Sequence, residues 1–159
     1  MTLDKPDHRS LAFWAADCAE HVLACFEEKH SEDDRPRQAI EAARAWVRGE
    51  IAMSAARTAA SAAHAAARQA DEPAARAAAR AAGHAAATAH ASGHACHAAT
   101  YAVTAASAVT ERHWQRRRLP EHLRPVAFPV RAIRASARKQ LQKPQSDPPS
   151  RKRMTPSSP

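Results

Sequence analysis

PAARAAARAAGHAAATAHASGHACHAATYAVTAASAVT, residues 73–110, decides the fold. Beyond its first residue the stretch contains no proline, it has no acidic side chain, and alanine fills most of it. Alanine is the strongest helix former, loses no side-chain entropy on ordering and lets helices approach closely. One helix of this length would reach about 57 Å at ~1.5 Å per residue. A compact domain of this size has a radius of gyration of only ~13–15 Å. The run must therefore fold back on itself, and Ser92-Gly93 is the natural break. This predicts an antiparallel pair of helices over 73–91 and 94–117, the second ended by Leu119-Pro120.

The same reading extends in both directions. Upstream, Ile51 to Ala70 is nearly all alanine with Arg57, His64 and Arg68 embedded. Asp71-Glu72-Pro73 closes that helix and opens the next, since carboxylates stabilise a helix N-terminus. An earlier helix begins with Pro36 at its first position, points Ile40, Ala43 and Val47 inward, and ends near Gly49. The first helix is expected to be capped by Asp7 and to run to about Glu28, with Leu11, Trp14, Cys18, Val22 and Cys25 forming one apolar stripe. Downstream, Pro120, Pro125 and Pro129 leave room only for a short helical piece over 121–126.

Composition agrees. Of 159 residues 43 are alanine and only 18 are Leu, Ile, Val or Phe, while glycine occurs three times. Strands and doubly wound sheets lack their raw material. The fold class is all-α: an alanine-rich bundle of about five antiparallel helices in a domain over 8–138, then a disordered basic tail over 139–159. Alanine faces bury little area, so the core is thin, and a homodimer through the third to fifth helices is the expected remedy.

Charge is divided along the chain. Residues 1–111 carry 11 basic and 14 acidic side chains, whereas residues 112–159 carry 13 basic and 2 acidic. The isoelectric point of about 10.2 thus belongs to the end of the chain, not to the helical body. Cys18, Cys25 and Cys96 form no CxxC pair, and no apolar leader segment opens the sequence. Both features predict a reducing, cytoplasmic location. Arg or His interrupts every alanine run, so no membrane span is expected.

Several runs are familiar once the helices are placed. They are Leu11-Ala12-Phe13-Trp14-Ala15-Ala16-Asp17-Cys18-Ala19-Glu20 and Arg35-Pro36-Arg37-Gln38-Ala39-Ile40-Glu41-Ala42-Ala43-Arg44-Ala45-Trp46. Ala63-His64-Ala65-Ala66-Ala67-Arg68, Ala79-Arg80-Ala81-Ala82-Gly83-His84 and Thr88-Ala89-His90 complete the set. Over residues 8–128 the chain resembles bacterial immunity proteins of the immunity protein five-like family. The resemblance implies a small helical protein that neutralises a cognate protein toxin by binding it. Ser92-Gly93 stands where the family has a proline-containing turn, and the basic extension lies outside the likeness.

Five constellations bear on chemistry. His90, His94 and His97 would share a face of an unbroken helix, but the fold-back puts a turn between the first two. No carboxylate lies between 73 and 110 to complete a site, although His64 or His84 could contribute from neighbouring helices. Packed or surface histidines are the expectation, with no metal or other cofactor; a metal-binding bundle ranks third. Asp17 and Glu20, one turn apart, are a carboxylate pair on one helix without the aromatic cleft that acid–base catalysis of glycosides uses. Short alanine neighbours leave room for arginine to reach inward. Asp17, Glu20, Arg35, Glu41, Arg44, His64, Arg68, Arg80, His84 and His90 are therefore expected to form an internal polar network or pocket. Glu28, Glu32, Asp33 and Asp34 make an acidic corner able to steer a basic toxin surface. Arg116, Arg117, Arg118, Arg131, Arg134, Arg138 and Lys139 support the competing class, a nucleic-acid-associated protein holding phosphates without sequence preference. GxGxxG, Walker, GxSxG and HExxH motifs do not occur, so nothing names a reaction and no enzyme is expected.

Overall fold

A computed structural model of the chain describes residues 3–106 and 108–129. The regular structure of the described residues is all helical, without strands: α1 Lys5–His21, α2 Ala24–Glu27, α3 Arg35–Arg48, α4 Met53–Gln69, α5 Pro73–Ala87, α6 His94–Ala105 and α7 Ala108–Arg118. A 3₁₀ turn, Glu121–Leu123, and the short α8, Arg124–Ala127, follow. All belong to one compact unit, Met1–Pro129. The expected tail over 139–159, the boundary at 138, and Arg131, Arg134, Arg138 and Lys139 lie outside the described residues.

The alanine runs become the centre of this unit. Ten of the fifteen residues of α5 are buried, nine alanines and Gly83. It packs against α1, α2, α3, α4 and α6. Such encirclement requires short side chains, because each methyl fills the space between two backbones without holding them apart. Larger apolar groups line the rim: Leu11, Trp14, Phe26, Ile40, Leu119 and Leu123 are all nearly inaccessible.

Helix ends follow elementary rules in part. Gly49 closes α3 at φ 78°, a left-handed conformation that favours glycine. Asp71-Glu72-Pro73 stops α4 at Gln69 and places Pro73 in the first turn of α5. At the N-terminus the cap is Asp4, whose Oδ1 accepts from the Asp7 N–H at 2.8 Å. The expected cap, Asp7, sits one turn inside, because Pro6 already occupies the start of the helix.

Three boundaries differ from the expected ones. The first helix breaks after His21, where Val22 and Leu23 donate to the carbonyls three residues earlier, Ala19 and Glu20. That tightened turn keeps Val22 and Leu23 inside and brings Phe26 into the core. The 73–91 helix ends at Ala87. Thr88 closes it, its N–H and its Oγ1 both donating to the His84 carbonyl. The 94–117 helix is divided at Ala106, whose backbone is extended (φ −111°, ψ −176°). The bend redirects α7 so that Gln115 Nε2 donates to Ala99 O at 2.9 Å and Trp14 Nε1 donates to Gln115 O at 2.9 Å. No helix in the described residues is long and apolar enough to cross a membrane.

Ala82, on α5, is wholly inaccessible. Substitution Ala82→Leu should destabilise the chain by about 1–3 kcal/mol, since an added isobutyl group must push backbones apart. A urea midpoint that does not fall would contradict the packing.

Candidate functional site

Two polar assemblies stand out. The first joins α1, α3 and α7. Arg44, two turns into α3, reaches between alanines to Asp17 Oδ1 at 3.1 Å and to Glu20 on α1, and also meets Glu41 at 3.4 Å. Arg118, the last residue of α7, closes the other side of Asp17 at 2.9 Å. Both Arg44 and Asp17 are mostly buried, with 17% and 11% of their side chains exposed. The hydrogen bond from Arg44 holds the Glu20 carboxyl below its usual range, and Glu20 in turn raises the affinity of Arg44 for its proton. The assembly fixes the register of three helices where apolar side chains are few.

Next to it lies a second set of ties. His21 Nδ1 meets the buried Glu111 carboxylate at 2.6 Å, and Glu111 Oε1 accepts from Gln115 at 3.0 Å. The His21 ring stacks on Trp114 with centroids 4.0 Å apart, and the Arg118 guanidinium covers that indole at 5.1 Å. A surface cleft of about 610 Å³ opens beside Phe13, Asp17, Val47, Arg117 and Arg118. Phe13, on its edge, is 48% exposed.

The second assembly is made of histidines. The turn that was expected to stand between His90 and His94 brings their rings to 5.0 Å. From α5, His84 contacts His94 and His97 of α6, each at a centroid distance of 5.2 Å, and His64 of α4 at 4.9 Å. Nδ1 of His84 and Nδ1 of His94 are 3.1 Å apart. Tyr101 stacks on His84 at 5.4 Å, and Arg80 lies over Tyr101 at 5.5 Å. Gly83 makes the close approach possible: a Cβ there would fall 2.6 Å from Cε1 of His64. Burial, helped by the charges of His64, His94, His97 and Arg80, pushes His84 down to about 3. Burial likewise lowers His64, with Arg68 and Arg80 adding to it, and lowers His94, with His90, His97 and His64 adding to it. At neutral pH these rings are therefore uncharged. Among the described residues no group of three His, Cys, Asp or Glu side chains is placed, as the rings stand, to hold a metal ion.

The expected network thus separates in two. Asp17, Glu20, Glu41 and Arg44 come together, whereas His64, Arg80, His84 and His90 belong to the histidine cluster. Arg68 reaches that cluster only through its charge on His64. Arg35 belongs to neither, holding Asp33 at 2.6 Å and Gln69 at 2.5 Å. At the acidic corner Glu28 and Glu32 are exposed. Asp33 is engaged by Arg35, and Asp34 accepts from the neutral Gln38 at 2.7 Å. Arg116 lies over Phe128 at 5.1 Å, and with Arg118 held by Asp17 only Arg117 of the basic triplet is without such a contact among the described residues.

Glu111, Gln115 and His21 escaped the sequence reading. A lone carboxylate four residues before a glutamine on a basic helix is an unremarked pattern, and only the bend at Ala106 turns both inward.

The family model of the Imm-5 like putative immunity proteins matches residues 1–122. The chain belongs to this family. No curated protein and no solved structure matches it. The matched span runs from α1 through α7, so both assemblies, the acidic corner and the cleft lie within the immunity-family portion of the chain.

Three outcomes test this geometry. Arg44→Met should cost about 1.5–3 kcal/mol, because it removes charge-assisted hydrogen bonds to Asp17 and Glu20 and leaves the mostly buried Asp17 to Arg118; chemical denaturation measures it. The unfolded chain takes protons on histidine near pH 6.5, whereas folded His84 does so only near 3. The stability that neutral rings contribute is thus complete above pH ~6.5 and lost as pH falls, so Tm should decline steadily from pH 7 to pH 4. Gly83→Ala should expel the His64 ring and let its pKa rise toward the ordinary value, read by NMR titration. Its effect on Tm should be small, since alanine gains up to about 1 kcal/mol over glycine within a helix.

Proposed function

We propose that this protein is a non-enzymatic inhibitor that binds and neutralises a cognate bacterial protein toxin in the cytoplasm. The observation that carries the reading is the family match over residues 1–122, which spans nearly the whole helical unit. The site geometry supports it. Arg44 and Arg118 engage Asp17 across helices, and His21 of α1 engages Glu111 of α7, an arrangement that stiffens a surface and presents no activated nucleophile to solvent.

The acidic corner between α2 and α3 is the proposed contact face. Glu28, Glu32 and Asp34 keep their charge available to a partner, while Arg35 and Arg37 engage Asp33 and Glu27. Three carboxylates on one corner would steer a basic toxin surface and raise the association rate. A homodimer belongs to the same proposal; because α5 is covered within one chain, it would use the outer faces of α4 and α6. The nucleic-acid reading draws less support, with Arg118 tied to Asp17 and Arg116 lying on Phe128.

The partner to test is a protein toxin encoded by a neighbouring gene. The chain should protect cells producing that toxin, and Glu28→Lys with Glu32→Lys should slow association about tenfold at low salt, the difference shrinking as salt is added. A neighbouring toxin that the chain neither binds nor inhibits would overturn the proposal. Sedimentation at micromolar concentration reads the dimer, and a compact monomer would remove it.

A further inference from the structure

The histidine cluster has a use that toxin binding leaves unexplained. Five of the ten histidines in the chain, His64, His84, His90, His94 and His97, form one cluster drawn from α4, α5, α6 and the turn between the last two. Ion pairing does not account for them. The stretch 73–110 has no carboxylate, and the charged neighbours, Arg68 and Arg80, have the sign that repels a protonated ring.

Geometry gives the alternative. A tetrahedral zinc ion with nitrogen ligands at about 2.0–2.1 Å holds any two of those nitrogens roughly 3.3 Å apart. Nδ1 of His84 and Nδ1 of His94 are 3.1 Å apart and face one another. One of the two must carry a hydrogen for them to approach so closely, and a metal ion could replace that shared proton. His97 is three residues beyond His94 on the same helix, the spacing at which two side chains share one face. Its ring lies 5.2 Å from His84 and 6.1 Å from His94. Imidazoles bound to one tetrahedral ion have their ring centres about 5.2 Å apart, from the same bond length and angle. His97 is exposed, so its ring can rotate to bring a third nitrogen to the point the first two define.

We propose that His84, His94 and His97 form a binding site for one zinc-class divalent cation, bridging α5 and α6 across the turn 88–93. The fourth position faces solvent and takes water, or His90, whose ring is 5.0 Å from His94. An all-imidazole donor set selects zinc, nickel or copper over magnesium and calcium, which prefer oxygen. Cys96 does not contribute, as its Sγ is directed to the Gly93 carbonyl at 3.0 Å. Arg80, one turn before His84 on α5, opposes the incoming charge, and its guanidinium is turned toward the Tyr101 ring at 5.5 Å. Bound metal would tie the end of α5 to the start of α6, a link the backbone makes only through an irregular turn.

The test uses the untagged full-length chain and zinc chloride. Calorimetric titration should give one zinc per chain, with a rise in Tm, and cobalt substituted for zinc should show tetrahedral d–d absorption. His97→Ala, at an exposed position that leaves folding intact by circular dichroism, and His94→Ala should each weaken binding by at least about tenfold. His113→Ala, on α7, should leave it unchanged. Absence of stoichiometric binding would reject the site. So would zinc binding that survives His94→Ala combined with His97→Ala, since scattered surface histidines would then be the cause. Neither result bears on toxin inhibition.

Discussion

Close approach of backbones across alanine is the constraint on which the rest of this structure depends. With five neighbouring helices, α5 has no room for side chains longer than a methyl along most of its length. Dispersion between closely packed backbones replaces the burial of large apolar groups that a bundle of leucines would use. The consequence is a body that is well packed yet has little apolar area in each contact, so its uniqueness must come from elsewhere.

Polar contacts supply that uniqueness. Arg44 and Arg118 grip Asp17 from two sides, His21 and Gln115 hold Glu111, and His8 Nε2 donates to the Thr88 carbonyl at 2.6 Å. All but the Gln115–Glu111 bond within α7 link elements far apart in the chain, and each has a defined direction that alanine faces lack. Short neighbours are what allow an arginine to cross an interface while its charge stays paired. The same shortness lets the His64 ring lie on the backbone of Gly83 and draws the histidines together. Both assemblies follow from one compositional fact.

Membership of the immunity family agrees with the proposal that the outer contour of the molecule meets a partner. Stiff helices present their surface groups in fixed positions, which lowers the entropy lost when a partner docks. The acidic corner lies where α2 turns into α3, a segment whose charges are set by Glu28, Glu32 and Asp34 and tempered by Arg35 and Arg37. The histidine cluster sits on other elements, α4 to α6 and the turn 88–93, so the two proposed sites are separate in the molecule.

Sequence alone determined the helical class and the fold-back between α5 and α6. Those features depend on local propensity, on proline and glycine punctuation, and on spacings of three and four residues, all properties of neighbouring positions. Only the tertiary structure decided where the 94–117 run bends, because Ala105-Ala106 carries no breaker and the bend is held by Gln115, Trp14 and Ala99 from distant segments. It also decided that Asp17, Glu20, Glu41 and Arg44 separate from the other six residues of the expected network, that Arg118 serves Asp17 and that five histidines gather in one cluster. Such placements depend on helix crossings, and an alanine stripe offers a neighbour many nearly equivalent ways to lie across it until directional bonds select one.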